Sequence, residues 1–396
     1  MEYNWQRHAV QTEPPVELLK PLQVPKRILM GPGPSNCSER VLKSLRHQII
    51  GHLHPEMRQL LEEIKAGLRY AFQTRNELTL ALSTAGHGGM EACLGNLIEP
   101  GEVALIAKSG IWGERAGNMA NRIGARVEFL ETELGVPVDL DSLEDALIRC
   151  RPTVVVLIHA ESSTGMKQPL EGVGDLVHRY NAMLIVDCVA SLGGEPFFTD
   201  AWGIDAVYAC SQKVLGAPPG ITPISFSPLA VEKIFKRRTK VPAFYWDMTV
   251  LGDYWNCFGN PQIYHHTVSA TLIYGLREAL AELAEETLPV RWSRHALVAE
   301  KLRGELLKRG LRLFVKNPKY QLSTVVSVEL PHGVDSKIIS QRAMERFSVE
   351  ISGGLGPTVG KILRIGLMGI NATSRHVDLF LRALDDALKY ATKSKI

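Results

Sequence analysis

The chain has 396 residues, 45% of them hydrophobic and 22% charged, with a formal net charge of +3. Such a length and apolar content support a large core with room for two domains. Balanced charge without basic runs argues against nucleic acid and membrane surfaces as partners, and no apolar stretch approaches a bilayer-crossing length.

Met1-Glu2-Tyr3-Asn4-Trp5-Gln6-Arg7-His8 has neither an apolar signal core nor an Arg-rich transit composition, so neither secretion nor mitochondrial import is expected. Residues 1–25 are punctuated by Pro14, Pro15, Pro21 and Pro25 and read as an arm lying over a surface. Gly31-Pro32-Gly33-Pro34-Ser35 is a stiff loop with accessible backbone. Leu60, Leu61, Ile64 and Leu68 repeat at helical spacing within 56–72. Apolar runs at 78–82, 103–107, 127–130, 154–158, 183–186 and 206–208, mostly separated by helix-length stretches, predict a mainly parallel sheet covered on both faces. One long helical region over 267–309 follows, then strands at 311–315, 324–328, 349–351 and 363–365, with helices near 336–347 and up to 390. The organisation expected is an arm (1–25), a large α/β domain (26–286) and a smaller α+β domain (287–396). Cys37, Cys93, Cys150, Cys188, Cys210 and Cys257 include no Cys-x-x-Cys pair, which favours reduced thiols inside a cell and argues against a metal site.

Ligands of open α/β sheets sit at the carboxyl ends of strands, so the residues that carry chemistry are expected at the strand exits. The run Ile204 to Tyr208 passes through small residues to Lys213 and then enters a Gly/Pro-rich turn. A lysine held there suits an amine that forms a Schiff base with an aldehyde cofactor; a surface lysine beside a turn is the plain alternative. Leu82 to Glu91, rich in Gly and Ser/Thr, opens a helix whose free amides can receive a phosphate, or is an ordinary loop. Trp112 follows the next strand and could stack on a flat heterocycle or merely pack. Asp187 ends an apolar run, where a carboxylate needs a cation or several donors. Arg364, inside a short apolar strand, needs an anion: a substrate carboxylate or an internal partner. Gly33 and Ser35 are placed with Arg364 on the substrate side.

Residues 204–224, an apolar strand followed by small residues, Gln212-Lys213 and the Gly220-Ile221-Thr222 turn, resemble the lysine signature of the class V pyridoxal-phosphate aminotransferases. From about Leu18 onward the chain is similar to their alanine:glyoxylate (serine:pyruvate) branch, with the insect 3-hydroxykynurenine transaminases as near relatives. The resemblance implies fold type I, with a seven-stranded-type sheet, and pyridoxal 5′-phosphate as cofactor. Lys213 is then the catalytic amine and Asp187 the partner of the ring nitrogen. Ala85, Gly86, His87 and Gln212 fall at the phosphate, Trp112 over the ring, and Ser162 beside the ring hydroxyl or Asp187. Tyr264 and Thr267 would reach in from the second subunit of a homodimer with shared sites, around which the arm wraps. Two positions depart from the family pattern: Ala85 lacks a hydroxyl that relatives carry, and Ala160 replaces a glycine.

The implied reaction is transfer of an amino group from L-alanine or L-serine to glyoxylate, with 3-hydroxykynurenine transamination as the alternative. Gly51-His52-Leu53 stands where the kynurenine enzymes tend to have Ser-Asn-Phe, which favours the first. A cysteine desulfurase needs a late reactive cysteine, and none follows Cys257; a silent binding protein would have no use for both Lys213 and Asp187. Ser394-Lys395-Ile396 is one conservative change from the peroxisomal Ser-Lys-Leu address, so a peroxisomal location is expected, and a cytoplasmic one otherwise.

Overall fold

The computed structural model describes residues 13–393, with side chains as far as Ala391; the first part of the arm and the Ser394–Ile396 address lie outside the described residues. After β1 (Ile28–Leu29), α1 (Glu39–Ser44) and α2 (Pro55–Phe72), strands and helices alternate. They run β2 (Thr79–Leu82), α3 (Gly86–Leu97), β3 (Val103–Lys108), α4 (Ile111–Arg122), β4 (Arg126–Glu131), α5 (Leu140–Cys150) and β5 (Val154–Ile158). A small hairpin, β6 (Ala160–Glu161) with β7 (Met166–Lys167), precedes α6 (Val173–Arg179), β8 (Met183–Asp187), β9 (Ala206–Tyr208) and β10 (Thr222–Phe226).

The large sheet has seven strands in the order β2-β10-β9-β8-β5-β3-β4, with β10 antiparallel to both its neighbours and the other pairings parallel. Its central strands are apolar without alternation: Val154, Val155, Val156 and Leu157 are wholly buried, as helices on both faces require. β10 is absent from the sequence expectation because Pro223 sits inside it, and proline is ordinarily excluded from central strands. It is tolerated because it faces Ala209, just past the end of β9, where its carbonyl accepts the Ala209 N–H at 2.9 Å.

The remaining elements are α7 (Pro228–Phe235), α8 (Met248–Tyr254), α9 (Ala270–Glu286), α10 (Leu288–Lys308), β11 (Val325–Glu329), α11 (Ser336–Phe347), β12 (Val349–Glu350), β13 (Ser352–Gly353), β14 (Ile362–Gly366) and α12 (Ser374–Lys393). The single helical region expected over 267–309 is two helices, broken where Thr287 takes φ +68° and Pro289 opens the next turn. The strand expected at 311–315 reduces to one bridge between Leu313 and Val328.

Two main apolar cores flank the break. One gathers residues from Met57 to Leu288, and the second takes residues from Val298 onward together with Met30. Ile28 and Leu29 pair with Val349 and Glu350, so this early segment, assigned by sequence to the large domain, packs with the C-terminal unit. Residues 13–27 run exposed along the outside, with one short turn at Val16–Leu19.

Candidate active site

The carboxyl ends of β2, β3, β5, β8 and β9 open on one cleft with about 620 Å³ of empty space. Ala85, Gly86 and His87 line it from the start of α3, Trp112 from the start of α4, and Ala160 and Ser162 from the exit of β5. Asp187, Val189 and Ala190 follow β8, and Tyr208, Cys210, Gln212 and Lys213 come from β9 and its exit. The parallel register explains the convergence, since Ile158, Asp187 and Tyr208 stand side by side on adjacent strands.

Asp187 is 5% exposed and accepts hydrogen bonds from the Tyr208 hydroxyl at 2.7 Å and the Val189 amide at 2.8 Å. Burial nevertheless pushes its pKa up to about 6, against the pull of those two donors and of Lys213. Burial also lowers the pKa of Lys213. The Lys213 amine donates to the Pro32 carbonyl, and a Cβ on Gly33 would stand 2.3 Å from its Nζ, so a side chain at 33 would displace the amine. Gly33 also holds φ +107°, a conformation that favours glycine. Ser35 contacts the lysine from the other direction: its hydroxyl donates to the Lys213 carbonyl at 2.6 Å and its amide to the Gln212 carbonyl at 2.8 Å. Its hydroxyl is thus spent on the lysine backbone rather than turned to a substrate.

Ser162 accepts the indole N–H of Trp112 at 2.9 Å, a partner that the sequence reading did not assign, and keeps its own proton to donate. Trp112 meets His87 edge-on at 5.8 Å, and burial lowers the His87 pKa. Arg364 is 7% exposed; its Nε donates to the Gly353 carbonyl at 2.8 Å and its Nη1 to the Ser162 carbonyl at 3.1 Å. Those bonds fix the guanidinium plane while leaving N–H groups of the fork unspent. Tyr264 and Thr267 do not line the cleft of their own chain. Both are exposed, with their hydroxyls 3.5 Å apart.

Three polar residues went unassigned in the sequence. Tyr208 looked like part of an apolar strand; the signal was its place beside Asp187 once the two strands are set parallel. Glu161 is wholly buried, and burial pushes its pKa up to about 7. Glu350, near Lys213 and Arg364, is raised by burial as well, and one of its carboxylate oxygens is buried without a partner.

The donor set fits pyridoxal 5′-phosphate. Asp187 has only neutral hydrogen-bond donors, so it can take a protonated ring nitrogen. Gln212 lines the cleft wall, where its side-chain NH₂ is the group able to donate to a phosphate. At α3, Ala85 provides no side-chain cap, which leaves first-turn amides for a phosphate.

A family model described as aminotransferase class-V matches residues 30–380. The chain is 48% identical to the alanine–glyoxylate aminotransferase of Callithrix jacchus over 98% of this chain and 94% of that one. It is 47% identical to the Drosophila melanogaster protein of the same name, over 96% and 97%. Among solved structures, an alanine–glyoxylate aminotransferase from Nostoc sp. superposes with TM-score 0.91 at 44% identity, covering 98% of this chain and all of that one. A ureidoglycine–glyoxylate aminotransferase from Bacillus subtilis matches with the same TM-score at 32% identity, over 94% and 95%. By family match, identity and fold together, the chain belongs to the class-V aminotransferases.

Proposed function

We propose that the chain transfers the amino group of L-alanine, or L-serine, to glyoxylate, giving pyruvate, or hydroxypyruvate, and glycine, with pyridoxal 5′-phosphate as cofactor. The observation that carries the reading is the pairing of the Lys213 amine and the Asp187 carboxylate in one cleft, in a chain nearly half identical to relatives named for this reaction.

Bound pyridoxal phosphate supplies an aldehyde that takes up the amino group and a ring that draws electrons from the α-carbon. Asp187 holds a proton on the ring nitrogen, and the Tyr208 hydroxyl keeps that carboxylate aimed. Lys213 Nζ, whose lowered pKa favours the free amine, takes the proton from the substrate α-carbon and returns one at the end of the half-reaction. Gln212 and the first amides of α3 hold the phosphate, and the Trp112 indole walls the ring. Arg364, its plane fixed by Gly353 and Ser162, grips the carboxylate shared by amino acid and oxo acid. Since the donor's oxo acid must leave before glyoxylate enters, double-reciprocal plots with the two substrates should be parallel.

We further infer that two copies share their sites. Tyr264 and Thr267 stand exposed, and Val16, Leu18, Leu19, Leu22 and Val24 of the leading segment are 64–89% exposed, which suits an arm that another subunit covers. Sedimentation at twice the chain mass would support this, and a monomer with full activity would end it. Import into peroxisomes is proposed on the C-terminal tripeptide alone, and a fluorescent reporter ending in Ser-Lys-Ile tests it.

The decisive assay compares wild type and Lys213→Ala with alanine plus glyoxylate and with 3-hydroxykynurenine plus glyoxylate, recording cofactor absorbance throughout. Turnover of the first pair by wild type only, with the lysine-dependent absorbance lost in the variant, is expected. Faster turnover of the second pair would move the assignment to the kynurenine reaction, and an active Lys213→Ala would remove the mechanism.

A further inference from the structure

Glu161 is a buried carboxylate whose hydrogen-bond partners are all neutral, an arrangement that is costly unless several donors hold it. It does not line the cleft. Its Oε1 accepts from the Ser163 amide at 3.0 Å and the Ser163 hydroxyl at 2.5 Å. Its Oε2 accepts from the backbone amide of Trp112 at 3.2 Å. Helix α4 starts at Gly110 without a side-chain cap of its own. The cap comes instead from across the site, because Ser163 Oγ also accepts the Ile111 amide at 3.3 Å. A carboxylate at this helix start is favoured by the dipole as well. Space for it exists because position 110 is glycine: a Cβ there would stand 2.3 Å from Glu161 Cδ. Trp112 is therefore tied at both ends to consecutive residues, its amide to Glu161 and its indole N–H to Ser162.

We propose that Glu161 is a positioning residue that sets the plane of the Trp112 indole against the cofactor ring without touching cofactor or substrate. The inference rests on the cofactor reading above. It makes an acceptor-specific prediction, because Glu161→Gln is nearly isosteric. The Ser163-facing oxygen can be kept, but the amide nitrogen then points a donor at the Trp112 N–H, and a buried donor loses its acceptor.

The test is a double-mutant cycle on cofactor affinity, read by titrating the cofactor-stripped protein with pyridoxal 5′-phosphate and following absorbance. Wild type, Glu161→Gln, Trp112→Phe and the double variant are compared. The orphaned backbone N–H is common to both backgrounds, so the cycle isolates the indole: tilting it should raise the dissociation constant about tenfold when Trp112 is present, and less than about twofold when phenylalanine leaves Ser162 no ring N–H to hold. Gly110→Ala keeps the carboxylate but pushes it aside, so it should reproduce the pattern; it decides the matter if Glu161→Gln does not fold. Equal losses in both backgrounds, or none in either, would overturn the positioning role while leaving the enzyme assignment standing. Failure of wild type to take up the cofactor would overturn both.

Discussion

Replacing Asp187 by asparagine separates what the carboxylate does for the reaction from what it costs the fold. In the folded chain its pKa is pushed from the ordinary 3.8 to about 6. Between those two values the folded protein keeps a proton that the unfolded chain has released. Stability from this group therefore falls as pH rises through about 4 to 6 and stays level above. A shift of about two units corresponds to a cost of about 3 kcal/mol at pH 7.5. Asparagine escapes that cost with its partners intact: its oxygen can accept from the Val189 amide, and the Tyr208 hydroxyl can turn to accept from its NH₂ group. The cofactor-free variant should thus be more stable than cofactor-free wild type at pH 7.5, while the two should be nearly equal at pH 4. At about 2.1 cal/mol/K of unfolding entropy per residue, 396 residues turn 3 kcal/mol into a melting difference of about 4 °C. Calorimetric scans of both proteins from pH 4 to 7.5 measure it, and taking the difference cancels the other titrating groups. A pH-independent difference, or a variant less stable at pH 7.5, would refute the argument. Transamination by the variant should meanwhile be lost, since its side chain cannot hold the ring nitrogen's charge.

Two further substitutions probe the substrate side. Gly33→Ala places a Cβ where the Lys213 amine now lies, and a displacement of roughly 1 Å at a reacting group costs about a hundredfold in kcat. Stopped-flow half-reactions at wild-type rates would contradict that. Arg364→Lys loses the planar fork and both of its anchoring bonds, so KM for alanine and for glyoxylate should each rise at least about tenfold. Initial-rate measurements that leave both KM values unchanged would remove Arg364 from carboxylate binding.

Much of the large sheet was legible because its strands are buried on both faces, so uninterrupted apolar runs such as Val154–Ile158 stand out from amphipathic helices. What escaped was decided by neighbours distant in sequence. β10 carries a proline that only the end of β9 makes acceptable, and the 311–315 run finds a single bridge to β11. The break at Thr287 was signalled by Pro289, but the apolar periodicity on either side masked it. At the site, residues at strand ends could be read from position, whereas Tyr208 and Glu161 depend on which strand lies beside which. Ser35 shows the same limit, because its loop was recognisable but the carbonyl that takes its hydroxyl lies 178 residues away.

The entry of Met30 into the second core has a consequence for biosynthesis. Ile28 pairs with Val349, about 320 positions downstream, so an early segment must wait for nearly the whole polypeptide before its partner exists. At roughly 5–20 residues per second, translation imposes a delay of about 15–60 s, during which Ile28 and Met30 stay uncovered while the first core can already condense. It follows that 287–396 expressed as a fragment would be born with an unpaired β12 edge and a hole where Met30 belongs. Supplying residues 26–36 as a separate peptide should improve its solubility.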